Sequence, residues 1–315
     1  MNKKSLEKEE IDLIKKRLFK EGFKHVSFST YFEVENEFKK FYLQFLKEKK
    51  EASLSYLQNI KAKFNIKEIY ANTNTIIAAS FFYHNQKVKL ALKENPYKIA
   101  SYAWGKDYHN VLKKRMKRVV KDISAGRIVT DSTPLPERYL GRKLNIGFIG
   151  KNGMLINPEN GSYFLLVFAL LERPLSSDLI LENKKANIEE DFKKYCNNCS
   201  RCIKSCPGGA INSDGIINIE NCISYQTIEM RGKVNCSNIK KNKWIFGCDV
   251  CQMVCPYNKK EYLNNDTDFY PSDISLDVSK GHLENIKDTH LFGTALKRAG
   301  IEGLRRNIKS KIILK

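Results

Sequence analysis

The sequence predicts an α+β fold followed by a module built on cysteines. Three observations carry this. Helical and strand-like segments are mixed through the first 190 residues, composition shifts to Cys, Gly, Pro and Asn between Tyr195 and Tyr257, and a basic helical segment closes the chain. Residues 5–20 carry Leu6, Ile11, Leu13, Ile14 and Leu18 at helical spacing, and Gly22 is suited to end that helix. Residues 33–49 repeat the pattern with Phe38, Phe41, Tyr42 and Phe45. Thr75 to Tyr83 is a β-branched and aromatic run of strand length. Asp107 to Ser124 reads as a basic amphipathic helix ended near Gly126, and Arg127 to Thr130 as a short strand delivering Asp131. Ser162 to Leu171 is a second central strand, stopped by Glu172 and Arg173. From Leu263 the chain is polar until a basic helix over Thr294 to Ile308. The divisions expected are residues 1–190, 191–262 and 263–315.

The totals narrow the function classes. The chain has 315 residues, 42% hydrophobic, enough for a real core. No apolar run approaches the roughly 18 residues that a membrane helix needs, and MNKKSLEKEE has no secretory h-region or paired arginines. A cytoplasmic protein without membrane contact is expected. Lys+Arg 55 against Asp+Glu 35 gives a formal charge of +20, a field that attracts polyanions such as nucleic acid. A generally lysine-rich composition produces the same number.

Nine cysteines all lie between Cys196 and Cys255. In a cytosolic chain such clustering points to metal rather than disulfides. The first group reads Cys196-x2-Cys199-x2-Cys202-x3-Cys206-Pro207, the bacterial two-cluster ferredoxin run whose fourth cysteine ligates the other cluster. The second reads Cys248-x2-Cys251-x3-Cys255-Pro256, preceded by Cys222. The crossing rule assigns Cys196, Cys199, Cys202 and Cys255 to one [4Fe–4S] cluster, and Cys206, Cys222, Cys248 and Cys251 to the second. Zinc sites use C-x2-C pairs but do not call for two C-x3-C-P steps. Cys236 fits neither group and reads as a spare thiol. Two such clusters move electrons singly, which predicts a reduction of something held by the first domain.

Beyond the cysteines the chain resembles the epoxyqueuosine reductases. The resemblance rests on Tyr102-Ala-Trp-Gly-Lys-Asp107-Tyr108-His109, Val129-Thr-Asp131-Ser132-Thr-Pro134-Leu-Pro-Glu137, Gly147-Phe-Ile-Gly150-Lys151-Asn152 and Gly161-Ser162-Tyr163-Phe164. It continues in Cys222-Ile-Ser224-Tyr225-Gln-Thr-Ile-Glu229-Met-Arg231-Gly232 and Phe246-Gly-Cys248-Asp249-Val-Cys251-Gln252. The resemblance implies cobalamin held between the first domain and the cluster module. It also implies electrons arriving from an external low-potential donor of flavodoxin or ferredoxin type, and removal of the epoxide oxygen from epoxyqueuosine at the tRNA wobble position. A monomer is expected.

By the same resemblance Asp131 is the proton donor, a carboxyl that an apolar pocket can keep protonated near neutral pH. Turn or cap chemistry is the plainer reading of Asp-Ser-Thr-Pro. Tyr102, Tyr108 and His109 are expected as pocket walls, with no protein histidine on cobalt. Lys151 and Asn152 are read as reaching cofactor or tRNA, an exposed turn being the alternative. Ser162, Ser224 and Asp249 are read as corrin neighbours, with hydrogen bonds around the clusters as the alternative for Ser224 and Asp249. Asp288-Thr-His290-Leu-Phe-Gly293 fits a cobalt-histidine signature by chance, because too little chain follows for that fold. Basic residues on the Lys113–Lys121 helix and at Lys297, Arg298, Arg305 and Arg306 are candidates for tRNA phosphates. Two rival readings remain, a cobalamin reductive dehalogenase and a two-cluster electron carrier. The first leaves the charge without a use and the second leaves the first 190 residues idle.

Overall fold

The computed structural model describes residues 4–48, 51–176, 188–212, 215–232, 242–259 and 262–312. Cys236 lies outside them.

The first part of the chain is α1 (Lys8–Lys20), β1 (Val26–Thr30), α2 (Asn36–Lys47), α3 (Ile60–Phe64), β2 (Thr75–Phe82), α4 (Gln86–Glu94) and β3 (Lys98–Ile99). There follow α5 (Tyr108–Val120), β4 (Gly126–Val129), α6 (Glu137–Lys143), β5 (Phe148–Ile149), β6 (Leu155–Ile156) and β7 (Phe164–Leu171). A four-stranded antiparallel sheet in the order β1-β2-β7-β4 organises this part. Ile77, Ala79 and Phe81 of β2 join Val167 and Ala169 of β7 on the face covered by α1 and α5. Ile76, Ala78 and Phe82 join Leu166 and Phe168 on the opposite face, against Ile66, Tyr139 and Leu140. Both central strands are buried on two sides, which is why they read as unbroken apolar runs rather than alternating ones.

The cysteine-rich part contains α7 (Ile188–Asp191), α8 (Arg201–Ser205), α9 (Ile223–Ile228), β8 (Trp244–Phe246) and α10 (Val250–Met253). It docks on the first part at several points. Strand β8 pairs in parallel with β3. Arg142 binds Asp191 at 2.8 Å, and the Phe148 ring stacks on Tyr195 with centroids 4.1 Å apart.

The last part departs from the sequence expectation of a polar stretch and one basic helix. Helix α11 (Asp273–Lys280) is started by Ser272, whose Oγ accepts the Ser275 N–H, and is closed by left-handed Gly281. The basic segment is broken as well. A 3₁₀ turn at Ala295–Arg298 precedes α12 (Gly300–Ile312), because Gly300 has φ +69° and interrupts the helical path. Asp288, half of the chance cobalt signature, accepts the Ile301 N–H at 2.8 Å and so holds the start of α12. Leu283, Leu291 and Leu304 share one buried cluster with Trp104 and Phe246, so this part is core rather than appendage. No helix among the described residues is long and apolar enough to cross a membrane.

Candidate active site

Strand β4 ends at Val129, and the chain turns sharply. Asp131 has φ 50°, a left-handed conformation that aspartate tolerates better than most residues. Glu137, at the start of α6, holds this turn by accepting the Asp131 N–H on Oε1 at 2.6 Å. The Tyr108 hydroxyl, from the first turn of α5, donates to Asp131 Oδ2. His109 Nε2 lies 3.6 Å from the same oxygen, and its Nδ1 lies 2.7 Å from Asp107 Oδ1. The Asp131 side chain is nonetheless 63% exposed. It stands at the mouth of a cleft rather than inside a core. Across that cleft Tyr56 feels the charges of Glu229, Asp131, Arg298 and Arg138. Arg298 is held by Glu229 through three contacts of 2.7–3.0 Å.

The electrostatics differ from the expectation of an apolar pocket with a protonated Asp131. The crowded walls alone would raise its carboxyl. The nearby His109 ring, the hydrogen bond from Tyr108, and the charges of His109 and Arg138 outweigh them and hold it below the usual range. The neighbours carry the protons instead. Burial alone would lower His109, but Asp107 and Asp131 raise it to about 9. Burial, then the Asp131 charge, pushes Glu137 up to about 8.

The eight cysteines other than Cys236 are all free and partly buried. They act on one another in two groups. Burial and then Cys196, Cys255 and Cys199 push Cys202 up to about 11. Burial, with Asp249, Cys222 and Cys206, pushes Cys248 up to about 12. Burial raises Cys251 well above its usual value, aided by Cys248 and Cys222, with Cys202 last among its neighbours, so the two groups adjoin. Thiols packed this closely are stable as thiolates only beside compensating cations, and that donor set fits iron–sulfur clusters. The charge of Arg138 reaches both Cys222 and Asp131, which brings the group containing Cys222 near the cleft.

Several residues expected at a cofactor stand behind it. Asp249 is 1% exposed and accepts the Ser101 N–H on Oδ2 at 2.6 Å, leaving no face for a corrin. Ser162 is buried, and its Oγ and N–H bond Gln252 and Asn258. Asn152 and Lys151 sit on the tight β5–β6 turn, where Lys151 Nζ donates to the Asn197 carbonyl at 2.6 Å and Asn152 to the Cys251 carbonyl. That turn clamps the cysteine loops. Ser224 is half-buried, and its backbone N–H bonds the Cys222 thiol. Tyr102 and Tyr108 meet edge to face at 5.7 Å and form the wall below Asp131. Of the proposed phosphate contacts, Arg115 binds Asp266 and Asp268, Arg118 binds Glu21, and Arg306 donates to the Met230 and Gln226 carbonyls. Lys114, Lys117 and Lys121 are exposed. Sequence reasoning did not single out Tyr56, Lys63 or Arg138, because only tertiary contacts bring them to Asp131.

An antiparallel sheet packed with helices and fused to two groups of free thiols, with a carboxylate and an imidazole near the joint, defines an iron–sulfur oxidoreductase. Comparison with known proteins agrees in both halves. Residues 195–258 match the 4Fe-4S double cluster binding domain, and residues 63–132 match the family described as Epoxyqueuosine reductase QueG, DUF1730. The epoxyqueuosine reductase of Cyclobacterium marinum is 32% identical over 308 residues, 94% of either chain. That of Leadbetterella byssophila is 38% identical over 230 residues, 69% of this chain and 71% of the relative. The solved epoxyqueuosine reductase of Streptococcus thermophilus superposes with a TM-score of 0.79 at 26% identity, over 96% of this chain and 80% of that one. Another, solved with an epoxyqueuosine-modified tRNA-Tyr stem loop, shares the fold at TM-score 0.75 and 23% identity, again over 96% and 80%. The chain belongs to the epoxyqueuosine reductase family.

Proposed function

We propose that this chain reduces epoxyqueuosine to queuosine at the wobble position of tRNA, using two [4Fe–4S] clusters and cobalamin. The observation that carries this reading is that the charge of Arg138 reaches both the Cys222 thiol and Asp131, which brings the thiols and the carboxylate into one region of the fold. In this reading Cys196, Cys199, Cys202 and Cys255 hold one cluster, and Cys206, Cys222, Cys248 and Cys251 hold the cluster nearer the cleft. The grouping of the thiols supports that assignment.

Cobalamin carries its own metal, so its pocket needs walls, a proton source and a nearby electron route rather than protein ligands. The cleft fits those needs. His109 has both ring nitrogens turned to carboxylates and so offers no lone pair to cobalt. Tyr102, Tyr108, His109 and Ser224 would border the corrin, with Asp249, Ser162, Asn152 and Lys151 stiffening the wall behind. When bound there, cobalamin would supply the low-potential electrons for cleaving the carbon–oxygen bonds. Asp131 delivers a proton to the departing oxygen, Tyr108 aims its carboxylate, and Glu137 fixes the turn that presents it.

The outer thiol group suits entry of electrons. Cys255 lines a surface hollow of about 430 Å³ together with Arg201, Lys204, Lys259 and Met253, the last 59% exposed. A basic rim around an apolar contact fits an acidic one-electron carrier such as a flavodoxin or ferredoxin. Residues 1–190, 191–262 and 263–315 are units of function here rather than separate cores. Anaerobic protein analysed for iron, sulfide and bound corrinoid, then assayed on epoxyqueuosine-containing tRNA, tests the reading. About eight irons, eight sulfides and corrinoid binding are expected, with queuosine appearing in the tRNA. Zinc in place of iron, or unchanged nucleoside, would sink it.

A further inference from the structure

Asp107, His109 and Asp131 lie along one line of polar contacts. Asp107 Oδ1 accepts the His109 backbone N–H at 3.0 Å, capping α5, and lies 2.7 Å from His109 Nδ1. The cap fixes the carboxylate, and the carboxylate fixes the ring. Nε2 then faces Asp131 Oδ2 at 3.6 Å, an oxygen already receiving the Tyr108 hydroxyl. An imidazole engaged by a carboxylate at each nitrogen is stabilised as imidazolium, because both nitrogens can then donate. Asp131, receiving those donors, is stabilised as carboxylate and has no proton of its own to give at neutral pH.

We propose that His109 stores the proton consumed by the reaction, and that Asp131 relays it from His109 Nε2 to the departing oxygen. The inference rests on the reductase reading above and adds a residue to its chemistry. Removing an epoxide oxygen as water breaks two C–O bonds, forms one C=C bond, and takes two electrons and two protons. The electrons come from the reduced cofactor chain. One proton passes from His109 to Asp131 and on to the oxygen. The second comes from solvent, which also reprotonates His109.

The charges around the relay keep the proton on His109 at rest, so its passage through Asp131 is driven by the strongly basic departing oxygen. His109 is faced by Asp107 and Asp131, and Asp107 in turn by Lys113. Asp131 is faced by Tyr108, His109 and Arg138, with Glu137 behind its backbone. Lys63, Tyr56 and Arg298 act on it from other elements, and Tyr102 lies below. Against burial, which lowers it, the two carboxylates raise His109 to about 9. The imidazolium therefore persists through neutral pH and is lost as pH rises through that value.

The test uses the cluster-loaded protein. Histidine-labelled protein is titrated by NMR, with His109→Gln identifying the signal among five histidines. His109 is expected to titrate at least one unit above the ordinary value, and Asp107→Asn, which keeps the helix cap, moves it down by one unit or more. In turnover, His109→Gln loses on the order of a hundredfold or more, and Asp107→Asn shifts the alkaline limb of the rate profile to lower pH. Retained cluster absorbance in each variant verifies folding. A His109 signal titrating at or below the ordinary value overturns the relay whatever the activity, as does an alkaline limb unmoved in Asp107→Asn. If no tRNA substrate is turned over by the unmodified protein, the reductase reading fails and the relay falls with it, whereas turnover alongside a low His109 titration overturns the relay alone.

Discussion

Asp131 shows how little a residue's type says about its charge. The same carboxyl would be raised by its crowded walls and is lowered by two donors, and the donors win. Its exposure and its left-handed backbone make sense together, since a turn held by Glu137 projects the carboxylate into the cleft. Asp131→Asn keeps the shape and the Tyr108 contact but cannot carry a proton. Turnover of epoxyqueuosine in tRNA should fall by about a hundredfold or more, with iron content and corrinoid binding unchanged. Near-normal turnover would remove Asp131 from the chemistry. The motif Thr130-Asp131-Ser132-Thr133-Pro134 was legible as important in the sequence. Its ionisation was not, because His109 lies on a different element and Arg138 acts through space.

The elements explain how thiols far apart in sequence come to share two sites. Helix α8 carries Cys202 toward Cys255, and Cys206 leaves it toward Cys222 at the start of α9. Helix α9 is held from behind by α12, where Asn307 donates to the Thr227 and Ile245 carbonyls at 2.8 Å each. A substitution on one element should therefore act on the other element's cluster. Cys206→Ala is expected to lose about half the iron and the spectroscopic signature of the cluster near the cleft, leaving the outer cluster reducible. Loss confined to the outer cluster would overturn the pairing. The spacing Cys196-x2-Cys199-x2-Cys202-x3-Cys206 is what suggests this crossing, because short thiolate spacings encode local geometry directly. Helix α11 went unseen, although Ser272 and Gly281 were capping signals, because eight residues give the apolar period little room to declare itself.

Across the whole molecule the formal charge of +20 acts as a field rather than as a set of contacts. Much of the arginine is engaged internally, at Arg115, Arg118 and Arg306, while lysines such as Lys114, Lys117 and Lys121 face solvent. Affinity for tRNA should therefore fall steeply with salt, by about 0.7–0.9 in the logarithmic slope for each phosphate contacted. Lys114→Glu combined with Lys117→Glu should flatten that slope without changing the clusters. A slope unchanged in that variant would move the tRNA-binding face elsewhere.

By itself the sequence determined the two central strands, the cluster cofactors and the family, since each is written in short-range patterns: a β-branched and aromatic run, thiol spacing, and contiguous motif blocks. Tertiary structure alone decided which polar residues face the cleft and which brace the wall behind it. It turned Asp249 inward to Ser101 and Lys151 onto the Asn197 carbonyl, and it set His109 between two carboxylates. Burial and electrostatic coupling depend on neighbours brought together from distant positions, and no local pattern encodes them.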